Sequence, residues 1–198
     1  VLEDAELSSP ADVGQFYKLV ADSQYVYAVA WKGSKIYKYD HTDNNSFVES
    51  KGGFGSISGL CLHSAAGYLF VFDNSIGTYG TLYKVQSSTL EIVETYTISG
   101  YGTAETALPE TSDLVSDLVV TDPSGSPNLW MAIYRSSNMT GATSKILFTI
   151  ALSGLTNGST FIPLDKTFTM SSTTNEGYFT ATPNVTTYKT SLARHGST

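Results

Sequence analysis

Short apolar segments separated by turn-forming residues recur along the chain, most clearly between Ile57 and Gly100. Each segment is too short for a helix and is rich in β-branched or aromatic residues, which is typical of strands. The four segments are Leu60–Leu62, Tyr68–Phe72, Leu82–Val85 and Ile92–Ile98. Their succession predicts an antiparallel meander. Because this meander has two apolar faces, we expect it to stack on copies of itself.

The same pattern occurs before and after this stretch. Before it, strands are predicted at Phe16–Val20, Tyr25–Trp31, Ile36–Tyr39 and Phe47–Glu49. After a loop at Tyr101–Pro109, they are predicted at Val115–Thr121, Leu129–Tyr134, Lys145–Ala151 and Lys166–Met170. The units span about 16–50, 56–100 and 113–170, with a partial unit at 177–198 and a polar lead-in at 1–15. Offsets of about 45 to 65 residues between aligned strands are typical of propeller blades. The pattern predicts an all-β fold of consecutive four-stranded antiparallel blades.

Two turn and strand motifs carry a family resemblance. Asp122-Pro123-Ser124-Gly125 precedes the apolar Leu129-Trp130, and a third strand reads Ile36-Tyr37-Lys38-Tyr39-Asp40. Over about residues 16–170 the chain resembles the YVTN/NHL-like β-propellers, although His63–Gly67 lacks the usual Asp-Pro turn. The resemblance implies radially stacked four-stranded sheets. It implies no particular activity, since propellers have unrelated functions.

A closed propeller has about four to eight blades, which is more than the three predicted units. One interpretation is that Val1–Gln15 pairs with Tyr178–Tyr188 to close a small ring. However, Val1–Gln15 contains few β-forming residues. We therefore expect the chain to be part of a larger or assembled propeller, with further blades supplied by more of the same polypeptide or by a neighbouring subunit.

Composition excludes some function classes. The formal net charge of the 198 residues is -7, and Lys and Arg are scattered singly. A nucleic-acid-binding protein needs a basic patch, and none is present in the sequence. Aromatic residues make up 12% and charged residues 15% of the chain, and Ser and Thr make up about a quarter. This mixture suits the surfaces of β-sheets.

Cysteine content and hydropathy limit the chain further. The single cysteine, Cys61, lies within an apolar strand and is predicted to be a small buried side chain rather than a reactive thiol. No apolar run is long enough to cross a bilayer as a helix. The sequence begins at Val1, without an initiator methionine, which favours a processed chain or a fragment.

Four Asn-x-Ser/Thr sequons are candidate N-glycosylation sites. They are Asn44, Asn138, Asn157 and Asn184. The first three lie in predicted loops between strands, where a glycan needs exposed backbone. With the acidic, Ser/Thr- and Tyr-rich composition, the sequons predict a secreted or cell-surface glycoprotein. The alternative is that they are ordinary polar turns.

The search for metal and catalytic sites gives no candidate. Asp40–Asn45 has closely spaced oxygen donors, but it lacks the central Gly and distant Glu of a calcium loop, so a polar hairpin is favoured. The same interpretation applies to Asp113, Asp117 and Asp122. The histidines, which are His41, His63 and His195, have no metal-ligand spacing. No serine has the context of a catalytic nucleophile, and no cofactor motif is found.

We therefore expect a protein-interaction or structural module, for instance a repeated subunit of an extracellular assembly that contacts other proteins or itself. The alternative is a propeller enzyme, a hydrolase or oxidoreductase, whose active-site residues lie partly outside this chain.

Overall fold

The computed structural model describes residues 16–30, 34–75, 79–99, 114–122, 125–134, 147–161 and 164–165. Over these residues the fold is all-β, with no α-helix. The first strands are β1 (Phe16–Ala21), β2 (Tyr25–Ala30), β3 (Ile36–Asp40) and β4 (Ser46–Lys51). The next are β5 (Ile57–His63), β6 (Tyr68–Asp73), β7 (Thr81–Gln86) and β8 (Ile92–Ile98). The last are β9 (Leu114–Thr121), β10 (Asn128–Tyr134), β11 (Leu147–Ala151), β12 (Thr160–Phe161) and β13 (Leu164–Asp165).

The strands form three sheets whose order follows the chain. The first sheet has the order β1-β2-β3-β4, and the middle sheet β5-β6-β7-β8 with β12 added beside β8. The third sheet has the order β9-β10-β11-β13. All neighbouring pairs are antiparallel except β8 with β12, which is parallel. The predicted all-β class and antiparallel meanders are confirmed.

The middle sheet is buried on both faces, which explains the continuous apolar run of β6. Leu69 and Val71 project to one side and pack with residues of the first sheet, including Tyr27. Phe70 and Phe72 project to the other side and pack with residues of the third sheet. Alternate residues of a strand point to opposite faces, so a strand between two sheets is apolar at every position. The predicted stacking on both faces is confirmed.

The strand registers align the three sheets residue by residue. Opposite Tyr27, Phe70 and Trp130 on the second strands lie Lys38, Lys84 and Thr149 on the third strands. Tyr27 of the first sheet faces the middle sheet, and Phe70 of the middle sheet faces the third. The same side of the first and middle sheets therefore packs against the sheet that follows.

A β-bulge recurs at one place in the first strand of every sheet. The register shifts between Phe16 and Lys18 in β1, between Ile57 and Gly59 in β5, and at the equivalent step before Asp117 in β9. Bulges increase strand twist and re-aim side chains. Lys18, Gly59 and Asp117 are thus equivalent residues that follow equivalent bulges.

The parallel strand β12 was not predicted. It belongs to a connection, residues 155–161, that leaves the third sheet after β11 and returns to the outer edge of β8. We call this connection the strap. The predicted strand at Lys166–Met170, the partial unit at 177–198 and the lead-in at 1–15 lie outside the described residues. In the third sheet, Leu164–Asp165 occupies the position next to β11.

Candidate functional site

The first strands of the three sheets meet at a cavity of about 440 Å³. Its lining comes from β1, β5 and β9, each of which is the terminal strand of its sheet on that side. β5 packs between β1 and β9. The sheets therefore converge at their first strands, around this cavity.

An ion pair crosses one end of this cavity. Lys18 Nζ of β1 lies 2.9 Å from Asp117 Oδ1 of β9, and both side chains are largely buried. The equivalent residue on the intervening strand is Gly59. A Cβ on Gly59 would lie 2.8 Å from Leu118 Cγ, so the glycine permits the close approach of β5 and β9. The Lys18–Asp117 pair therefore links the first sheet directly to the third sheet.

A second polar contact joins the middle and third sheets where β5 and β9 end. His63 Nε2 lies 3.4 Å from Asp122 Oδ2, and His63 is 9% exposed. Neither His63 Nε2 nor Asp122 Oδ1 has a hydrogen-bond partner. The contact is not a well-formed hydrogen bond, and its two residues alone do not make a metal site.

Cys61 lines the cavity wall but is not a reactive thiol. It is 4% exposed and packs in the core between the middle and third sheets. Burial, with the nearby charge of Asp117, raises the pKa of the Cys61 thiol far above its ordinary value. The thiolate needed for nucleophilic or metal chemistry is therefore strongly disfavoured. The predicted buried position is confirmed.

The most completely hydrogen-bonded carboxylate is Asp73, at the end of β6, which is 0% exposed. It accepts hydrogen bonds from the backbone N–H groups of Gly55, Ser56 and Ser75, at 2.6, 2.9 and 2.9 Å, and from Ser75 Oγ at 2.6 Å. Burial alone would raise the pKa of Asp73, but these hydrogen bonds outweigh it and hold the pKa below its ordinary value. Asp73 organises two loops, which is a structural role.

Lysines on the third strands of the first and middle sheets contact their own sheets in the same way. Lys38 Nζ lies 3.2 Å from Glu49 Oε1 and 4.3 Å from the centre of the Tyr25 ring. In the middle sheet, Lys84 Nζ lies 2.6 Å from Glu94 Oε1 and 4.3 Å from the centre of the Tyr68 ring. The described third sheet has no counterpart, because Thr149 and Asn128 stand at the lysine and tyrosine positions.

Lys38 also makes a contact between sheets. Its ammonium donates to the Ser88 carbonyl in the β7–β8 turn of the middle sheet. Beside it, Tyr27 Oη donates to the Ser87 carbonyl at 3.2 Å. Burial and the nearby carboxylate of Asp22 raise the pKa of Tyr27, so its hydroxyl stays protonated and able to donate. These polar groups join the first sheet to the middle sheet.

Four large apolar side chains of the described residues are exposed. They are Leu19, Phe47, Val48 and Val93. Val48 and Val93 are equivalent bulge residues of β4 and β8. Leu19 and Phe47 lie opposite Ala28 and Tyr39, on the face of the first sheet that points away from the middle sheet. We call Leu19 and Phe47 the exposed margin.

The exposed margin consists of positions that are covered in the other sheets. Leu19 is 55% exposed, whereas the equivalent Leu60 and Leu118 are 2% and 3% exposed. Phe47 is 37% exposed, whereas the equivalent Ile92 packs against the core between the first and middle sheets. The centre of the same face, around Ala28 and Tyr39, is buried. The difference is therefore confined to the two margins of the face.

The Asp40–Asn45 hairpin is held by its own hydrogen bonds. Asp40 Oδ1 accepts from the backbone N–H of Thr42 at 2.9 Å and from Thr42 Oγ1 at 2.6 Å, and Ser46 Oγ donates to Asp43. The hydrogen bonds from Thr42 and from Gln24 hold the pKa of Asp40 below its ordinary value. No group of three or more potential metal ligands occurs in the described ranges. The predicted polar hairpin fits this geometry.

The histidines and acidic residues singled out in the sequence are dispersed. His41 is exposed, with Nε2 3.3 Å from the Asp22 carbonyl, whereas His63 lies at the end of β5 beside Asp122. Asp117 forms an ion pair with Lys18, and Asp122 lies separately beside His63. Asp113 and His195 lie outside the described residues.

Two of the four sequons fall on the described chain, and both are in exposed turns. Asn44 and Asn45 have φ of 50° and 55° in the β3–β4 turn. Asn157 lies in the strap, and its Oδ1 accepts from the backbone N–H of Thr95 at 2.9 Å. Asn138 and Asn184 lie outside the described residues. Sequence reasoning found the turns but missed the Asn157–Thr95 contact, because the two residues are far apart in the chain.

Comparisons with family models and with curated proteins found no match to this chain. Within the described ranges, no helix is both long enough and apolar enough to cross a membrane. The functional interpretation therefore depends on the geometry above.

Proposed function

We propose that this chain is a propeller-type protein-interaction module of a secreted or cell-surface glycoprotein. The observation that carries the proposal is the reuse of one packing interface between successive sheets. Such a head-to-tail interface either closes into a ring or continues to further units. The convergence of β1, β5 and β9 at one cavity supports radial stacking of the YVTN/NHL-like kind.

The interaction role is supported by the exposed margin. Leu19 and Phe47 occupy repeat positions that another sheet covers in the middle unit. Exposed apolar side chains at such positions favour association with a further unit or a partner. The ion pair of Lys18 with Asp117 at the cavity, and the contacts of Tyr27 and Lys38 with the β7–β8 turn, all join different sheets, which supports a structural role rather than catalysis.

Sedimentation over a range of concentrations tests the interaction role. We expect the chain to associate, and Leu19→Asp to weaken that association. Val93→Asp is the matched control, because Val93 is 40% exposed but lies at a position exposed in both sheets. A monomer at all concentrations, or equal effects of the two substitutions, would contradict the proposed role of the exposed margin.

Extracellular location is tested separately. Expression through a eukaryotic secretory pathway, followed by peptide mapping with and without glycosidase, should show glycans on at least two sequons. Unmodified Asn138 and Asn157 would count against a glycoprotein.

A second candidate, a propeller hydrolase or oxidoreductase, is favoured only by the cavity. Native mass spectrometry and metal analysis separate the two functions. One stoichiometric divalent ion or small molecule retained by the chain would support the enzyme, and a chain free of both would support the interaction module.

A further inference from the structure

The strap contains the one Asn-Gly pair of the sequence, Asn157-Gly158. Asn-Gly is chemically labile because glycine has no side chain to hinder its backbone nitrogen. That nitrogen attacks the Asn side-chain carbonyl carbon, ammonia leaves, and a succinimide ring forms. Water then opens the ring to aspartate or isoaspartate. The reaction needs no reactant other than water, so its rate depends on how freely the two residues move.

In this fold both reacting groups are held by one residue of β8. Asn157 Oδ1 accepts from the backbone N–H of Thr95 at 2.9 Å. The Gly158 N–H, which must lose its proton to attack, donates to the Thr95 carbonyl at 2.8 Å. The amide that would be attacked is thus held by the N–H of Thr95, and the nitrogen that would attack is held by the C=O of the same residue.

Neighbouring hydrogen bonds support this arrangement. The Thr97 N–H donates to the Ser159 carbonyl at 3.0 Å, and the Ser159 N–H donates to the Thr156 carbonyl at 2.9 Å. Thr160 and Phe161 then pair with Thr97 and Ile98. Gly158 has φ of 77°, which glycine adopts without strain. The Asn157 and Gly158 side of the strap is nevertheless exposed to water. Burial therefore does not protect Asn157-Gly158 from deamidation, and the hydrogen bonds with Thr95 must do so.

We propose that Asn157-Gly158 is a latent deamidation site, and that its hydrogen bonds to the Thr95 backbone prevent deamidation in the folded chain. Reaction requires local opening of the strap from β8, a local unfolding event of the kind that hydrogen exchange detects. An aspartate product keeps an oxygen that accepts from Thr95. An isoaspartate product lengthens the backbone by one carbon, moves Gly158 away from the Thr95 carbonyl and opens the strap permanently.

The first test compares the folded chain with the same chain in urea. The protein is made in bacteria, so that a glycan cannot block Asn157, and deamidation is followed by peptide mass spectrometry at mildly alkaline pH. With two hydrogen bonds to break, we expect conversion in the folded chain to be slower by roughly tenfold or more. Equal rates in the two conditions would overturn the proposal.

The second test removes one of the two hydrogen bonds with Thr95→Pro. The Thr95 N–H points to the strap and not to β7, so proline at this edge position spares the ladder with β7. We expect faster conversion at Asn157, together with unchanged conversion at Asn44, which lies in another turn. An unchanged rate at Asn157 in a folded variant would contradict a role for Thr95. If the variant does not fold, the comparison in urea still decides the proposal.

Discussion

The first and middle sheets have the same architecture but different surroundings. Both have a lysine on the third strand that pairs with a glutamate on the fourth and lies over a tyrosine ring. The middle sheet lies between two sheets, whereas the described neighbours of the first sheet cover one face. Equivalent residues therefore have different burial because of what packs beside them, and not because of their own strand.

Two pairs of equivalent residues separate the effects of position and neighbour. Val48 and Val93 are 44% and 40% exposed, so their exposure is a property of the bulge position. Leu19 and Leu60 are 55% and 2% exposed. This difference in exposure comes from the neighbouring sheet, which covers Leu60 and not Leu19. The difference therefore lies at the outer margin of the first sheet, which the described sheets leave uncovered.

The largest difference is expected between Leu60→Ala and Leu19→Ala. Leu60 is enclosed in the core, so its truncation leaves a cavity and should lower the free energy of unfolding by about 2–5 kcal/mol. Leu19→Ala should cost less than about 1 kcal/mol in the isolated chain. Urea denaturation measures both. Similar losses would show that the two positions are not as differently packed as the exposures indicate.

Asp73 distinguishes the middle sheet from the first, where the equivalent residue is Ala30. In Asp73→Asn, the amide NH2 group cannot accept the hydrogen bonds that backbone N–H groups donate to the carboxylate. The substitution should lower the free energy of unfolding by about 2–3 kcal/mol at neutral pH. The pKa of Asp73 is lower in the folded chain, so the stabilisation by its ionised form is present above the unfolded pKa. It is lost as the pH falls below about 4 and through the folded pKa.

Thermal unfolding of both proteins between neutral and acidic pH measures this effect. The difference in stability between wild type and Asp73→Asn should shrink on acidification. A difference that is constant with pH would mean that the charge of Asp73 does not contribute.

Lys38 and Lys84 make equivalent contacts within their own sheets, but we expect their substitution to destabilise the chain by different amounts. Lys38→Met removes a bond to the Ser88 carbonyl in the next sheet and should cost about 1.5–2 kcal/mol. Lys84 is 21% exposed and is paired within its own sheet, so Lys84→Met should cost about 0.5–1 kcal/mol. Chemical denaturation of both variants gives the comparison, and a larger loss for Lys84 would reverse it.

The smallest effect concerns the ion pair across the middle sheet. A double-mutant cycle of Lys18→Met and Asp117→Asn should give a coupling of about 0.5–1 kcal/mol, which salt weakens. The cycle Lys18→Met with Asp122→Asn is the control and should give no coupling. Equal coupling in the two cycles would mean that Lys18 does not act on Asp117 specifically.

The sequence predicts the strands well, because short apolar segments and the turn-forming residues between them can be recognised within a few residues of chain. Tyr68–Phe72 and its flanking turns are sufficient to predict β6 and its burial on both faces. Asn44 and Asn157 were likewise predicted to lie in turns. These features depend on residues that are close together in the chain.

The contacts between units were not predictable in the same way. Nothing in the local pattern brings Lys18 to Asp117, or Asn157 to Thr95, since each pair is joined only after the sheets stack. The parallel pairing of β12 with β8 has the same cause, because a two-residue strand has no periodicity of its own. The alignment of the bulges, which shows that Lys18, Gly59 and Asp117 are equivalent, also requires the strand registers.

Hydrogen exchange of the backbone amides tests most directly whether the middle sheet is a unit enclosed by equivalent units. β1 and β5 are both terminal strands paired on one side, so they differ mainly in what covers their faces. We expect the amides of Leu60–Leu62 to exchange much more slowly than those of Leu19–Ala21. Equal protection of β1 and β5 would contradict the enclosed position of the middle sheet.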